Sequence, residues 1–391
     1  MKGKPVTAPP RAPAANRKED SYCIPVLAKA LDILDCFDPG GGVMTLAEVV
    51  RRSGASNTTA YRILQTLASR GYLERSGTEY RINRLRRRPV LGFANCSRHI
   101  ALAVDIQGSV EAAAHAVGVD LLILDNDRNA DTAIKNAQTM VEHKVDIAIE
   151  FQLYEQVAPV ISDIFSRAGI PLISLINPIY GTQYFGVDNY RAGLSAGLAM
   201  GEYARRHWKT PPDTVVLLES PRAGRMVQSR LVGGLRGIED RLGPLHDATV
   251  EHLDGGGERE PSKSAVTKFF KGRQRGRTII MAINDESALG AADVTKRLRT
   301  NGEIAIVGFG GSAEIVDVIQ EQAHPCIGTV SFNAERYGPA LIAYALPSVR
   351  HHSRNPVCYV PHQYLDQDTL ASRAGNHRRL KARATPKRSN L

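Results

Sequence analysis

Two short motifs in this chain carry residue types that could do catalysis. Gly193-Leu-Ser195-Ala-Gly197 spells GxSxG, the pattern that presents a nucleophilic serine on a sharp turn after a strand. Here it falls inside YRAGLSAGLAMGEYARR, a run of helical periodicity in which Gly193, Gly197 and Gly201 recur at i, i+4 and i+8. That spacing makes a smooth helix face for close packing rather than a nucleophile. Gly308-Phe-Gly310-Gly-Ser-Ala313 fits GxGxxA between an apolar run and a helix, the context of a dinucleotide loop. The acid expected at the end of the next strand is missing, because IGTVSFN contains none, and a tight turn is the simpler reading. Gly255-Gly-Gly257 follows VEHLD without a phosphate-binding lysine and reads as loop. The histidines show neither HxxxH nor HExxH spacing, and His351-His352 lie in a polar stretch before Asn355-Pro356, so neither a metal nor a cofactor is expected.

Polar and aromatic residues at strand ends are the better candidates, because open α/β sheets bind ligands beyond the carboxyl ends of their strands. Asn95 follows VLGFA, Phe151 and Gln152 follow VDIAIE, Asn177 follows PLISLI, Asn284 and Asp285 follow TIIMAI, and Phe332-Asn333 follow IGTVS. Amides and a carboxylate beside occasional aromatics suit a neutral, hydroxyl-rich molecule better than a phosphate, which calls for amide nests or arginines. Each residue taken singly is better explained as the cap of the helix it precedes. Their recurrence at one topological edge is what points to a site.

A second cluster lies near the start. Ser56 caps a helix whose apolar stripe is Ala60, Ile63, Leu64 and Leu67. The opposite face then carries Asn57, Thr58, Tyr61, Arg62 and Gln65, side chains that reach base edges and phosphates; a merely solvated face more often carries Glu and Lys. The elements around it are legible. A first helix starts at Pro25, with Leu27, Ala30, Leu31, Leu34 and Phe37 at helical spacing, and PGGG ends it. Thr45-Leu-Ala-Glu48 is a capping box opening a second helix to Arg52, and Ser53-Gly54-Ala55 makes the turn to the third. Tyr72–Arg75 and Glu79–Ile82 around Ser76-Gly77-Thr78 read as a β-hairpin. Three helices and a hairpin over residues 22–85 make a winged helix-turn-helix.

Beyond Pro89 the pattern alternates strand and helix. VLGFA, VDLLILD, VDIAIEF, PLISLI, TVVLLES, TIIMAIN, IAIVGFG and IGTVSF are apolar runs, most of them separated by helical stretches. Continuous apolar strands with crossover helices imply parallel sheets covered on both faces, and so many units imply two sheets, hence two lobes with a cleft over residues 89–366.

Charge is distributed accordingly. Lys and Arg total 50 against 40 Asp and Glu, but residues 1–88 hold 16 basic and 8 acidic side chains, residues 89–371 hold 27 and 32, and residues 372–391 hold 7 and none. Basic ends around an acidic middle suggest a polyanion partner for the ends and a different task for the middle. Residues 1–21, rich in Pro and Ala, and the basic tail 372–391 are expected to be disordered, and RLRRR at 84–88 contributes a basic linker, residues 86–88, that could lie on phosphates. The five cysteines, Cys23, Cys36, Cys96, Cys326 and Cys358, contain no CxxC pair, which argues against a disulfide framework and a zinc ribbon. The start lacks an apolar segment behind its lysines, and no stretch gives about 18 apolar residues in a row. A cytoplasmic protein that neither crosses nor binds a membrane is expected.

SYCIPVLAKALDILDCF…TLAEVVRRSGASNTTAYRILQTLASRGYLERSGTEYRI closely resembles the DNA-binding domain of IclR-type transcription regulators. That resemblance implies that Asn57 to Gln65 enter the major groove of double-stranded operator DNA while Arg75 and Arg81 of the wing touch backbone. GIPLISLINPIYGTQYFGVDNYRAGLSAG, QSRLVGGLRGI, AINDESALGA and IAIVGFGG resemble signatures of type I periplasmic-binding-protein modules, the two-lobed sugar-binding fold shared with LacI-type repressors. It implies two lobes joined by three crossovers, a ligand in the cleft, Asn284 and Asn177 as ligand contacts, and a further contact from the segment of Gln228 and Arg230. The chain departs from the family's sugar binders at Gly310, where they usually have Asp, and at Phe332, where they often have a polar residue. The leading expectation is a ligand-responsive, homodimeric transcription regulator sensing a small polar metabolite such as a carbohydrate, with no catalytic step. The rivals are a solute-binding protein of an ABC importer and a nucleotide-dependent or hydrolytic α/β enzyme.

Overall fold

The computed structural model describes residues 24–37, 42–83, 88–208, 210–271, 276–298, 303–321, 325–351 and 356–372. The lead 1–21, Cys23, most of the basic linker and the tail from residue 373 onward lie outside them, as do His352 and Asn355. The chain divides between Arg87 and Arg88 into two units, each with its own core.

In the first unit, α1 (Pro25–Asp35), β1 (Met44–Thr45), α2 (Leu46–Ser53) and α3 (Asn57–Ser69) precede the hairpin of β2 (Leu73–Ser76) and β3 (Glu79–Ile82). The capping box forms in both directions: the Glu48 amide donates to Thr45 Oγ1 at 3.4 Å, and the Thr45 amide to Glu48 Oε2 at 2.7 Å. Gly54 takes the left-handed conformation that ends α2, and the Ser56 hydroxyl accepts from the Thr59 amide to start α3. Ala60, Ile63, Leu64 and Leu67 are buried against Ile33, Val49, Leu73 and Tyr80. Two features differ from expectation. The buried face of α1 runs through Ile33 and, beyond the helix end, Phe37, whereas Leu27 and Leu31 are exposed. The two-residue β1, too short to leave a periodicity, pairs antiparallel with β3 through Met44 opposite Tyr80 and widens the hairpin to three strands.

The second unit begins with β4 (Val90–Asn95), α4 (Ala101–Val117), β5 (Asp120–Asp125), α5 (Ala130–Glu142), β6 (Ile147–Glu150), α6 (Ala158–Ala168), β7 (Leu172–Leu175) and β8 (Gln183–Gly186). The chain crosses to a second lobe of α7 (Asn189–His207), β9 (Thr214–Glu219), α8 (Arg225–Leu242), β10 (Thr249–Asp254), α9 (Arg259–Phe270), β11 (Thr278–Ala282), α10 (Asp285–Thr295), β12 (Ile304–Gly310), α11 (Ala313–Gln320) and β13 (Cys326–Ser331). It returns for α12 (Tyr337–His351) and β14 (Val357–Tyr359), then crosses a third time to β15 (Gln363–Leu365). The sheets run β14-β8-β7-β6-β4-β5 and β10-β9-β11-β12-β13-β15, all parallel except β15, which pairs antiparallel with β13. In each sheet the first strand sits beside the point where strand order reverses, between β4 and β6 and between β9 and β11, so a crevice opens there at the carboxyl ends.

GxSxG lies within α7, as its periodicity indicated. A Cβ on Gly193 would lie 1.8 Å from the Arg230 carbonyl oxygen, and one on Gly197 2.0 Å from that of Gly234. Gly233 and Gly237 of α8 approach α7 as closely, so the two backbones pack with nothing between them.

Candidate functional site

The carboxyl edges of the two sheets enclose a cavity of about 320 Å³, the size of one small molecule. Phe151, Asn177, Arg230, Asn284, Asp285 and Phe332, all singled out from sequence, line it. Of these, Arg230 is only 4% exposed. The glycine face of α7 brings Asn189 to it, so that Arg230 Nε donates to Asn189 Oδ1 at 2.6 Å and Nη1 to the Ile283 carbonyl at 3.0 Å. The guanidinium carbon lies 4.9 Å from the Phe332 ring centre and 5.9 Å from that of Phe309, which fixes its plane. Burial lowers the Arg230 pKa to about 10, which leaves it charged at neutral pH.

The strand-end amides have more varied partners than sequence anticipated. Asn284 is the N-cap of α10: its Oδ1 accepts from the Ser287 amide at 2.9 Å and its Nδ2 donates to the Gly257 carbonyl at 2.9 Å. It borders the cavity with both polar atoms engaged. Asp285 is buried, with Oδ2 accepting from the Gly311 and Ser312 amides and Oδ1 from Thr329. Desolvation raises its pKa, against those hydrogen bonds. Its carboxylate thus fills the amide loop of the GxGxxA motif, where no room remains for a diphosphate. Gly310 has φ +142°, and a Cβ there would meet Asp285 Oδ2 at 2.8 Å, so an acid at 310 has no space in this arrangement. Asn177, held beside the left-handed Ile176, is different: its Nδ2 is buried without a partner among the described residues.

Asn95, Gln152 and Gln228 do not line the cavity. Asn95 donates to the Ala103 carbonyl and to Gln107 and tethers the start of α4. Gln152 Oε1 accepts from the Tyr154 amide within its own loop. Gln228 lies half-buried on α8, two positions from Arg230 and so on another side of the helix. Sequence reading missed Arg128, Ser220, Arg222, Glu258 and Phe309, all on the cavity wall. Four of them stand within a few residues after β5, β9 or β10, so the strand-end rule applied to every strand finds them. Arg128 Nη1 meets Glu258 Oε2 at 3.2 Å, and Arg222 also binds Glu258 and lies 5.4 Å over the Tyr154 ring.

In the first unit, Asn57, Thr58, Tyr61 and Arg62 are exposed on one face of α3. Gln65 is turned inward, its Nε2 donating to Tyr80 Oη at 2.9 Å, which ties α3 to the wing. Arg75 lies over the Tyr80 ring and donates to the Gly77 carbonyl, while Arg81 pairs with Glu74 across the hairpin. Among the described residues there is no group of three metal-ligating side chains, Cys36, Cys96, Cys326 and Cys358 are free, and no helix is long and apolar enough to cross a membrane.

The chain matches the IclR helix-turn-helix domain over residues 26–77 and the periplasmic binding protein domain over residues 91–348. No protein of curated function matches it. Among solved structures it is similar to an ABC transporter periplasmic solute binding protein from Actinobacillus succinogenes 130z with bound D-allose, at 18% identity and TM-score 0.64, over 73% of this chain and 99% of that one. A solute binding protein from Mycobacterium smegmatis with bound glycerol gives 17% and 0.65, over 73% and 96%. One from Bacillus halodurans C-125 with bound myo-inositol gives 15% and 0.62, over 74% and 98%. At these identities the likeness is one of fold.

Proposed function

The chain belongs to the periplasmic binding protein domain family, with an IclR helix-turn-helix domain ahead of that module, and from this premise we propose a ligand-responsive transcription regulator. Residues of α3 read operator DNA in the cytoplasm, and the cleft senses a small polar, sugar-like metabolite. The observation that carries the reading is the joining, in one chain, of a capped helix exposing Asn57, Thr58, Tyr61 and Arg62 to an enclosed single-molecule cavity. Neither part requires a catalytic group. Two copies are expected to act together, because one winged helix reads too few base pairs for useful specificity and two-fold proteins match two-fold operators. Arg75 and Arg81 would reach phosphates once released from Gly77 and Glu74.

The solved relatives are importer components, which keeps the solute-binding reading as the rival. Sequencing of genomic fragments retained by the full chain separates the two. A shared palindromic site is expected for wild type, bound by a species of about twice the 42.6 kDa chain mass in light scattering. Arg62→Ala should weaken binding to that site by roughly 1–3 kcal/mol, the usual cost of one base or phosphate contact. Fragments retained without any shared sequence would sink the regulator reading.

A further inference from the structure

The deep part of the cavity offers donors that lack acceptors. Arg230 carries a full charge at a buried position, its Nη2 has no partner, and it forms no ion pair among the described residues. Asn177 Nδ2, on the wall of the same cavity, is a buried donor without a partner among the described residues. Four acids line the cavity, and none of them forms an ion pair with Arg230 among the described residues; Glu260 pairs with Lys263, and Glu286 is half-buried. Asp285 has both oxygens on Gly311, Ser312 and Thr329, and Glu258 stands between Arg128 and Arg222. The electrostatic neighbours of Glu286 are Glu314, Arg259, Asp285 and Arg128, and Arg230 is not among them; Asp285 alone of these acids acts on Arg230, without pairing with it. Asn284 has both ends of its amide in use.

A neutral polyol bound here would leave the guanidinium of Arg230 with no anion in direct contact, only the more distant field of Asp285, and a buried charge without a paired partner is costly. A carboxylate supplies what is missing: acceptor lone pairs in one plane, and one negative charge for one positive. A phosphate is a poorer match, since the backbone amides that could cradle it, at Gly311 and Ser312, already hold Asp285.

We infer that the ligand is a small polyhydroxylated carboxylate, an aldonate- or uronate-like acid, with its carboxylate on Arg230 and Asn177 as the second donor. Phe309 and Phe332 hold the guanidinium flat for it. The inference deepens the sensor reading above and rests on it.

The test is calorimetric titration of the full chain with matched pairs, D-glucose and D-gluconate, D-galactose and D-galacturonate, L-arabinose and L-arabinonate, together with D-glucose 6-phosphate. At least one acid should bind about tenfold or more tightly than its neutral partner, the size expected of a charge-assisted hydrogen bond. Asn177→Asp, nearly isosteric, should weaken that acid by about tenfold or more through like-charge repulsion. Arg230→Lys should keep part of the acid preference and Arg230→Gln none, with melting curves confirming that each variant is folded. A neutral sugar binding as tightly as its acid, or the phosphate binding best, overturns the inference and leaves the sensor reading standing. Absence of binding by every compound in the panel overturns both.

Discussion

Glu150 ends β6 with a wholly buried side chain whose Oε1 accepts from Asn126 Nδ2 at 2.8 Å and whose Oε2 has no partner among the described residues. Burial raises its pKa to about 8, from the ordinary 4.5, against the lowering effect of Asn126. Because the folded-state value lies above that of the unfolded chain, the stability this group contributes is complete below about 4.5 and is lost as pH rises through about 8. Glu150→Gln keeps the acceptor and removes the titration. It should raise the melting temperature at pH 9, by roughly 2–4 kcal/mol of stability, and leave it near wild type at pH 5. Equal melting curves at both pH values would show that water reaches the carboxylate. Other single residues separate what sequence could reveal from what it could not. That Asn284 caps α10 was open to a local reading of Asn followed by Asp-Glu, but its second bond to Gly257, 27 positions away, is set by tertiary packing alone. Arg230 stood out by resemblance to a family motif. Its burial against Phe309 and Phe332 depends on three separate strands and helices meeting.

At the scale of elements, the α7 and α8 pair couples packing to the site. Glycines at i, i+4 and i+8 in α7 predicted a close-packed face, and the structure shows what packs there: α8, with the Arg230 backbone directly opposite Gly193. Gly193→Ala should therefore act twice. A Cβ 1.8 Å from a carbonyl oxygen cannot be relieved by a side-chain rotation, so the helices must part, at a cost of about 2–4 kcal/mol. Parting them also draws Arg230 away from Asn189, and ligand affinity should fall along with the denaturation midpoint. Chemical denaturation with and without ligand measures both, and a midpoint within error of wild type would refute the close approach. Most of the longer strands were legible because they are continuous apolar runs between helices; β10, TVEHLD, is the polar exception. β1, β8, β14 and β15 were not, being two to four residues long and placed by pairing with β3, β7, β8 and β13. The apolar stripe of α1 was misassigned because Leu27 and Leu31 match the period as well as Ile33 does, and only the position of α2 and α3 decides which face is covered.

At the scale of the second unit as a whole, its two lobes are joined by more than the three crossovers. Arg128, after β5 in the first lobe, pairs with Glu258, after β10 in the second. Arg222 of the second lobe binds the same carboxylate and lies over Tyr154 of the first, whose hydroxyl donates to the Arg128 carbonyl at 2.6 Å. Glu258 is thus the common acid of a clasp on the cavity wall, and Arg222 is held by the Gly256 carbonyl as well. These side chains are about one-third exposed, so each pair contributes at the modest level of a solvent-screened bridge, about 0.5–1 kcal/mol. Their worth lies in rate. Glu258→Gln leaves two like charges facing each other across the cleft, which should speed ligand dissociation by roughly 5- to 30-fold, the equivalent of about 1–2 kcal/mol. Association, which takes place through the open form, should change much less. Raising the salt should accelerate dissociation from wild type, where the bridges are screened, and slow it from the variant, where the repulsion is screened. Stopped-flow displacement of bound ligand at low and high salt reads both effects. A variant that releases ligand at the wild-type rate would place the holding force in the cavity itself, on Arg230 and the phenyl rings beneath it.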